Sequence, residues 1–423
     1  MSVSVSRLPN GVHVITDHMP HLETVTLGVW VKAGARDELA DQGGVAHLLE
    51  HMAFKGTSRR TAMDIASEIE NVGGEINAAT GMETTAYFSR VLKGDWPLAL
   101  DILADILTDP VFDATELKKE KYVILQEIAA ANDAPDDLVF ELLNEAAFPG
   151  HPLGRSILGE AARVESYDAR SILKYRSLHY SAPRIVLAAA GHVDHDKLVD
   201  AAAKRLSSFG KGTAAEWTTP AFSGGFKSAE RPLDQLHLVF GFPAPGYRDD
   251  RIYALQILSS IMGGGMSSRL FQELREKRGL CYSIFSFASS YQDVGLLNVY
   301  AATSPENARD LSDVATDVML SMTESLEEPE LQRAKAQLKA GLVISLESAA
   351  GRADQIARQF LAFGKVPEIA DLISRIERLT TDDIKNLASE ILISARPAIS
   401  AVGSLKYLAT EDRIAAKFGS SVE

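Results

Sequence analysis

The sequence predicts an α+β fold made of two homologous domains, and three observations carry that prediction. Strand-like alternation near 11–17, 24–32, 84–91 and 184–191 is interleaved with helical periodicity near 44–53, 61–72, 95–107, 114–131 and 167–178. That order favours, in each half, a mostly antiparallel sheet with helices packed on one face. The pattern then recurs. Glu116-Leu117, Asp168 and Pro183 reappear as Glu330-Leu331, Asp382 and Pro397, each 214 residues later. A constant offset over such a span marks two copies of one unit. Finally, 423 residues exceed what a single typical core holds. The expected domains are 1–210 and 231–423, joined by a Gly-, Thr- and Ser-rich linker at 211–230.

Among the elements of the first copy, the helix opening at Gly43-Gly44 carries the chemistry. Val45, Leu48, Leu49 and Met52 follow the i, i+3, i+4, i+7 spacing of a buried stripe. His47 and His51 stack one turn apart on the other face, with Glu50 beside them. Two imidazoles at i, i+4 can grip one zinc ion, and the intervening carboxylate is placed to act on its water. The order H-x-x-E-H inverts the more familiar H-E-x-x-H and is itself a zinc peptidase signature.

Catalytic zinc takes three protein ligands, so a third must come from elsewhere. The helix near 114–131 is a good source. Asp113 followed by Glu116 reads as a capping-box-like start, and the following stretch lacks Gly and Pro. It carries Glu120 and Glu127 two turns apart on one face, and spacing alone does not choose between them.

The run GGVAHLLEHMAFKGT with these two downstream glutamates resembles the family of mitochondrial processing peptidase, pitrilysin and insulin-degrading enzyme, closest to its short bacterial processing-peptidase-like members. The resemblance covers essentially the whole chain. It implies a clam of two homologous domains around a cleft, one zinc ion per chain, and peptide substrates. The family's third ligand lies 76 residues past the second His, which falls on Glu127, and Glu120 matches a second Glu one heptad earlier. The resemblance also makes Glu50 the general base and implies that Glu120 orients a ligand. Asn77 and Ala78 match a substrate-binding edge strand, and Phe54 an aromatic residue shaping the pocket after the scissile bond. Arg275 and Tyr282 match a pair that grips the substrate from the second domain. Asp137 and Glu141 match carboxylates that receive a substrate Arg near the cut, which implies a preference for basic residues there. Under the 214-residue offset Glu120 falls on Ala334 and Glu127 on Gly341, so the second copy is expected to hold no metal. The expected activity is zinc-dependent endopeptidase, in a homodimer or a heterodimer with a homologous chain. The alternative is a non-catalytic scaffold or partner subunit.

Composition narrows the partners. A net charge of −14 without a basic stripe argues against nucleic acid. No stretch reaches the ~18–20 apolar residues of a membrane span. The single cysteine, Cys281, excludes an internal disulfide and a cysteine zinc site. The N-terminal residues carry no secretory pattern, and the expected location is cytoplasmic.

Overall fold

The computed structural model describes residues 3–212 and 217–418. Its first half runs β1 (Val3–Arg7), β2 (His13–His18), β3 (Thr24–Val31), α1 (Val45–Ala53), α2 (Ala62–Glu70), β4 (Glu75–Thr80), β5 (Thr85–Leu92), α3 (Trp96–Thr108), α4 (Ala114–Asp133), α5 (Pro135–Ala147), α6 (Ala161–Ser166), α7 (Ala169–His179), β6 (Ile185–Gly191) and α8 (His195–Arg205). The second half runs β7 (Gly225–Glu230), β8 (Leu236–Ala244), α9 (Ile252–Gly263), β9 (Ser283–Ser290), β10 (Gly295–Thr303), α10 (Ala308–Glu324), α11 (Glu328–Ser345), α12 (Ala349–Phe363), α13 (Ile369–Arg378), α14 (Thr381–Ile393), β11 (Ala398–Gly403) and α15 (Glu411–Ala415).

Among the described residues the strands form two sheets, ordered β1-β2-β6-β3-β5-β4 and β7-β11-β8-β10-β9. The first is antiparallel except where β2 runs parallel to β6, and the second repeats this with β7 parallel to β11. The predicted duplication is therefore visible strand by strand. One expectation needs correction: residues 225–230, assigned to the linker, are an edge strand of the second sheet. They are the counterpart of β2, and β11 offers them a free edge to pair with. Residues 213–216 of that linker lie outside the described residues.

The compact units do not follow the halves of the sequence. One comprises Met1–Ala129, Ser156–Thr218 and Val343–Val366, and the other Ala130–Arg155, Thr219–Leu342 and Pro367–Glu423. The halves thus exchange α12 for α5, helices whose first residues are 214 apart. The cause lies in the central strands. The sequences VTLGVWV in β3 and IVLAAAG in β6 are buried at every position, so both faces need cover. On one face Leu27 and Val29 pack with Leu48, Leu49 and Met52 of α1 and with Leu100 and Leu103 of α3. On the other, Ile15, Trp30, Val186 and Ala188 pack with Ala353, Ile356 and Ala357 of α12. In the second unit α5 does the same for the other sheet, where Ser400 Oγ donates to Val139 O at 2.7 Å.

Two polar contacts fix α12 on its sheet. Trp30 Nε1 donates to Asp354 Oδ1 at 3.0 Å, and Arg352 Nε donates to the fully buried Asp17 Oδ2 at 2.5 Å. Removing one partner of a buried ion pair strands the other charge, at about 3–5 kcal/mol. Arg352→Met is therefore expected to destabilise the first unit by that order, read as a lowered urea midpoint. A midpoint equal to that of the parent protein would show that the pair does not hold α12.

Candidate metal centre

The site is built on α1, whose seating depends on its N-terminus. Gly44 takes φ +88°, and a Cβ there would come within 2.5 Å of Leu158 O, so glycine is required. The buried carboxylate of Glu38 accepts from Gly44 N at 3.0 Å and Ala46 N at 2.8 Å, satisfying amides that a helix start leaves open. Tyr167 Oη donates to Gly43 O at 2.8 Å. With Val45, Leu48, Leu49 and Met52 buried as the periodicity predicts, the opposite face turns His47, Glu50 and His51 outward, each half-buried.

α4 supplies the carboxylates. It starts at Asp113, whose Oδ1 accepts from Thr115 N and Glu116 N. Nε2 of His47 and Nε2 of His51 each lie 3.7 Å from the same Glu127 Oε2. That is too long for a hydrogen bond and suits donors around one ion with bonds of about 2.0–2.2 Å. Glu127 Oε2 is buried without a hydrogen-bond partner, a costly state that a cation relieves. Among the described residues these three form the only group of three or more potential metal ligands. Burial, helped by the neighbouring charge of His51, lowers the His47 pKa to about 4. It is thus neutral, the form that ligates a metal. The donor set fits zinc.

Glu120 plays a different part from Glu127. Buried on the inner side of α4, its Oε2 lies 3.0 Å from His51 Nδ1 and its Oε1 2.8 Å from Lys55 Nζ. A carboxylate on the far nitrogen fixes the tautomer that leaves Nε2 free to ligate. Sequence reasoning missed three contributors. They are Glu38, Lys55 and the pair Tyr87–Tyr180, whose hydroxyls are 3.0 Å apart. Burial, with a smaller contribution from the Glu50 charge, raises Tyr87 well above its ordinary range and Tyr180 to about 12, so both stay neutral beside Glu50. None of the three has a local periodicity that would have revealed it.

The remaining predicted residues fall in both units. Phe54 caps the C-terminus of α1, packs on the core and lies 6.3 Å from Tyr87, ring centre to ring centre. Asn77 and Ala78 lie on β4, the edge strand of the first sheet, where Asn77 Oδ1 accepts from Ala78 N at 2.8 Å. In the second unit the Arg275 guanidinium stands 5.2 Å over the ring of Tyr282, which is 75% exposed. Asp137 and Glu141 sit one turn apart on α5, also in the second unit.

With this geometry in view, the comparisons are specific. Residues 13–161 match the family described as Insulinase (Peptidase family M16), and residues 166–338 match the Peptidase M16 inactive domain. A protein of Rickettsia felis named "uncharacterized zinc protease" is 39% identical over 392 residues, 92% of this chain and 95% of its own. YmxG of Bacillus subtilis, likewise named an uncharacterized zinc protease, is 35% identical over 90% of this chain and 94% of its own. The chain belongs to peptidase family M16. Its fold is also that of two solved structures. A Pseudomonas fluorescens peptidase M16 inactive domain matches with a TM-score of 0.90 at 22% identity, covering 97% of this chain and 99% of that one. A protease from Helicobacter pylori matches with 0.89 at 21%, covering 95% and 99%. No helix among the described residues is long and apolar enough to cross a membrane.

The two glutamates of α4 are expected to separate in metal binding. Glu127→Gln should leave the purified protein without stoichiometric zinc. Glu120→Gln should retain a site weakened about 10–100-fold, the usual cost of losing a ligand's outer partner. Competition with a zinc chelator measures both, and equal affinities for the two variants would contradict the assignment.

Proposed function

We propose that this chain is a zinc-dependent endopeptidase acting on peptides or short unfolded polypeptide segments. The observation that carries the reading is the buried, unpartnered Glu127 oxygen standing 3.7 Å from both imidazole Nε2 atoms, on a site where Glu50 is free of any metal-binding duty. The names of the M16 relatives support it. His47, His51 and Glu127 would hold a zinc ion, which would supply Lewis acidity at the reacting carbonyl and its attacking water. Glu50, on α1 beside these ligands, would serve as the general base that accepts a proton and returns it to the leaving amine. Glu120, itself held by Lys55, keeps the His51 ring in register.

For substrate, the reading extends to residues named by the family resemblance. An extended peptide adds beside β4 at Asn77-Ala78, so that backbone hydrogen bonds supply affinity and side-chain pockets selectivity. Phe54 shapes the pocket after the scissile bond. Arg275 holds the substrate backbone, and Tyr282 donates to the carbonyl oxygen as charge develops on it. Asp137 and Glu141 receive an Arg before the cut, since two carboxylates one turn apart can grip a guanidinium.

Glu50→Gln is expected to keep its zinc and lose turnover, because an amide cannot accept the proton. Peptide cleavage at the parent rate by that protein, with zinc content unchanged, would overturn the mechanism. Replacing Asp137 with Asn and Glu141 with Gln should lower kcat/KM about tenfold or more for peptides with Arg shortly before the cut, as when charge-assisted hydrogen bonds of roughly 1.5–3 kcal/mol are lost. Peptides lacking that Arg should be nearly unaffected. An equal fall for both classes would mean that the two carboxylates support the fold and do not read the substrate.

A further inference from the structure

Away from the M16 site, two histidines of the first unit meet where β2 and β6 end side by side. His18 closes β2, and His192 follows the last residue of β6, its parallel neighbour. Their rings are 5.6 Å apart, centre to centre, and nearly perpendicular. His18 Nδ1 lies 2.9 Å from Val193 O, and His192 Nδ1 lies 3.1 Å from Leu22 O. A carbonyl oxygen only accepts, so each Nδ1 carries a proton, and in the neutral imidazole the lone pair then lies on Nε2. This is the device that prepares an imidazole for a metal: the far nitrogen is tied to an acceptor and the near one left as a donor pair.

The backbone around the pair is fixed as well. Met19 N donates to Gly191 O, His192 N to Thr24 O and Val193 N to Gly191 O, at 2.8–3.0 Å. Two imidazoles bound through Nε2 at about 2.0–2.1 Å to one ion bring their ring centres on the order of 5–6 Å apart. The observed ring spacing lies within that range. The Glu23 carboxylate, already held by Lys93 at 2.8 Å, lies within electrostatic reach of His192.

We infer that His18 and His192 form a second, surface site for a divalent transition metal of the imidazole-preferring kind, Zn2+, Ni2+ or Cu2+. With two protein nitrogens and water completing the shell, it is weaker than the three-ligand site and exchanges readily. A metal there ties the β2–β3 turn to the exit of β6. The inference is independent of whether the protein cleaves peptides.

The test uses the full chain stripped with chelator and titrated with Ni2+ in equilibrium dialysis. The parent protein is expected to bind two equivalents, and the His47→Ala/His51→Ala protein one. Combining those two replacements with His18→Ala and His192→Asn should leave none. The Asn is chosen to keep a donor toward Leu22 O, so that loss of binding does not come from an unravelled loop. Cu2+ added to the His47→Ala/His51→Ala protein should give an electron paramagnetic resonance spectrum with nitrogen coupling that vanishes with His18→Ala and His192→Asn. Ni2+ should also raise the Tm of the His47→Ala/His51→Ala protein, because a ligand that binds only the folded state stabilises it. No bound equivalent in the His47→Ala/His51→Ala protein, or one that survives replacement of His18 and His192, would overturn the inference.

Discussion

Everything at the centre depends on how α1 is held. The helix must bury one face, keep its other face available, and start at a point where no side chain of its own caps it. Glu38 solves the last problem from outside the helix by taking two of its opening amides, while Gly44 lets the chain pass against Leu158 without a clash. With its start pinned and Leu48 and Met52 in the core, the helix keeps its apolar face inward. The two imidazoles are then aimed by the fold before any ion arrives, which is what preorganisation of a metal site requires.

The electrostatics follow a chain outward from those rings. Burial keeps His47 neutral, Glu120 fixes the tautomer of His51, and Lys55 balances the charge of the buried Glu120. Two atoms of the site are left over, Glu127 Oε2 and His47 Nδ1, neither with a hydrogen-bond partner. A buried carboxylate oxygen left this way beside two imidazole nitrogens points to a missing partner. The contrast between the two glutamates of α4 assigns them their different parts.

Duplication shaped the rest. Both copies keep the sheet order and the one parallel pairing, yet the second copy has Ala334 and Gly341 where the first has Glu120 and Glu127. Each copy also gives one helix to the other unit, because two fully buried central strands demand cover on both faces. The helices α4 and α11 each begin in one unit and end in the other.

The sequence by itself determined what is periodic or local. The stripe Val45, Leu48, Leu49, Met52 and the opposed His47, Glu50, His51 follow from 3.6 residues per turn, and the Asp113 cap from side-chain chemistry at one position. The 214-residue offset likewise told of two copies. It stopped short wherever the deciding contact joins residues remote in sequence. Helical spacing alone leaves Glu127 and Glu120 equivalent, and only the family resemblance picked out Glu127; the packing of α4 beside α1 puts one on the Nε2 side and the other on the Nδ1 side. Glu38, the exchange of α5 and α12, the strand at 225–230 and the meeting of His18 with His192 were also decided by tertiary structure. The physical reason is the same in each case. A helix or strand repeats its geometry every few residues and so writes it into the sequence, whereas a contact between distant segments exists only once the sheets have set their order and the core has closed.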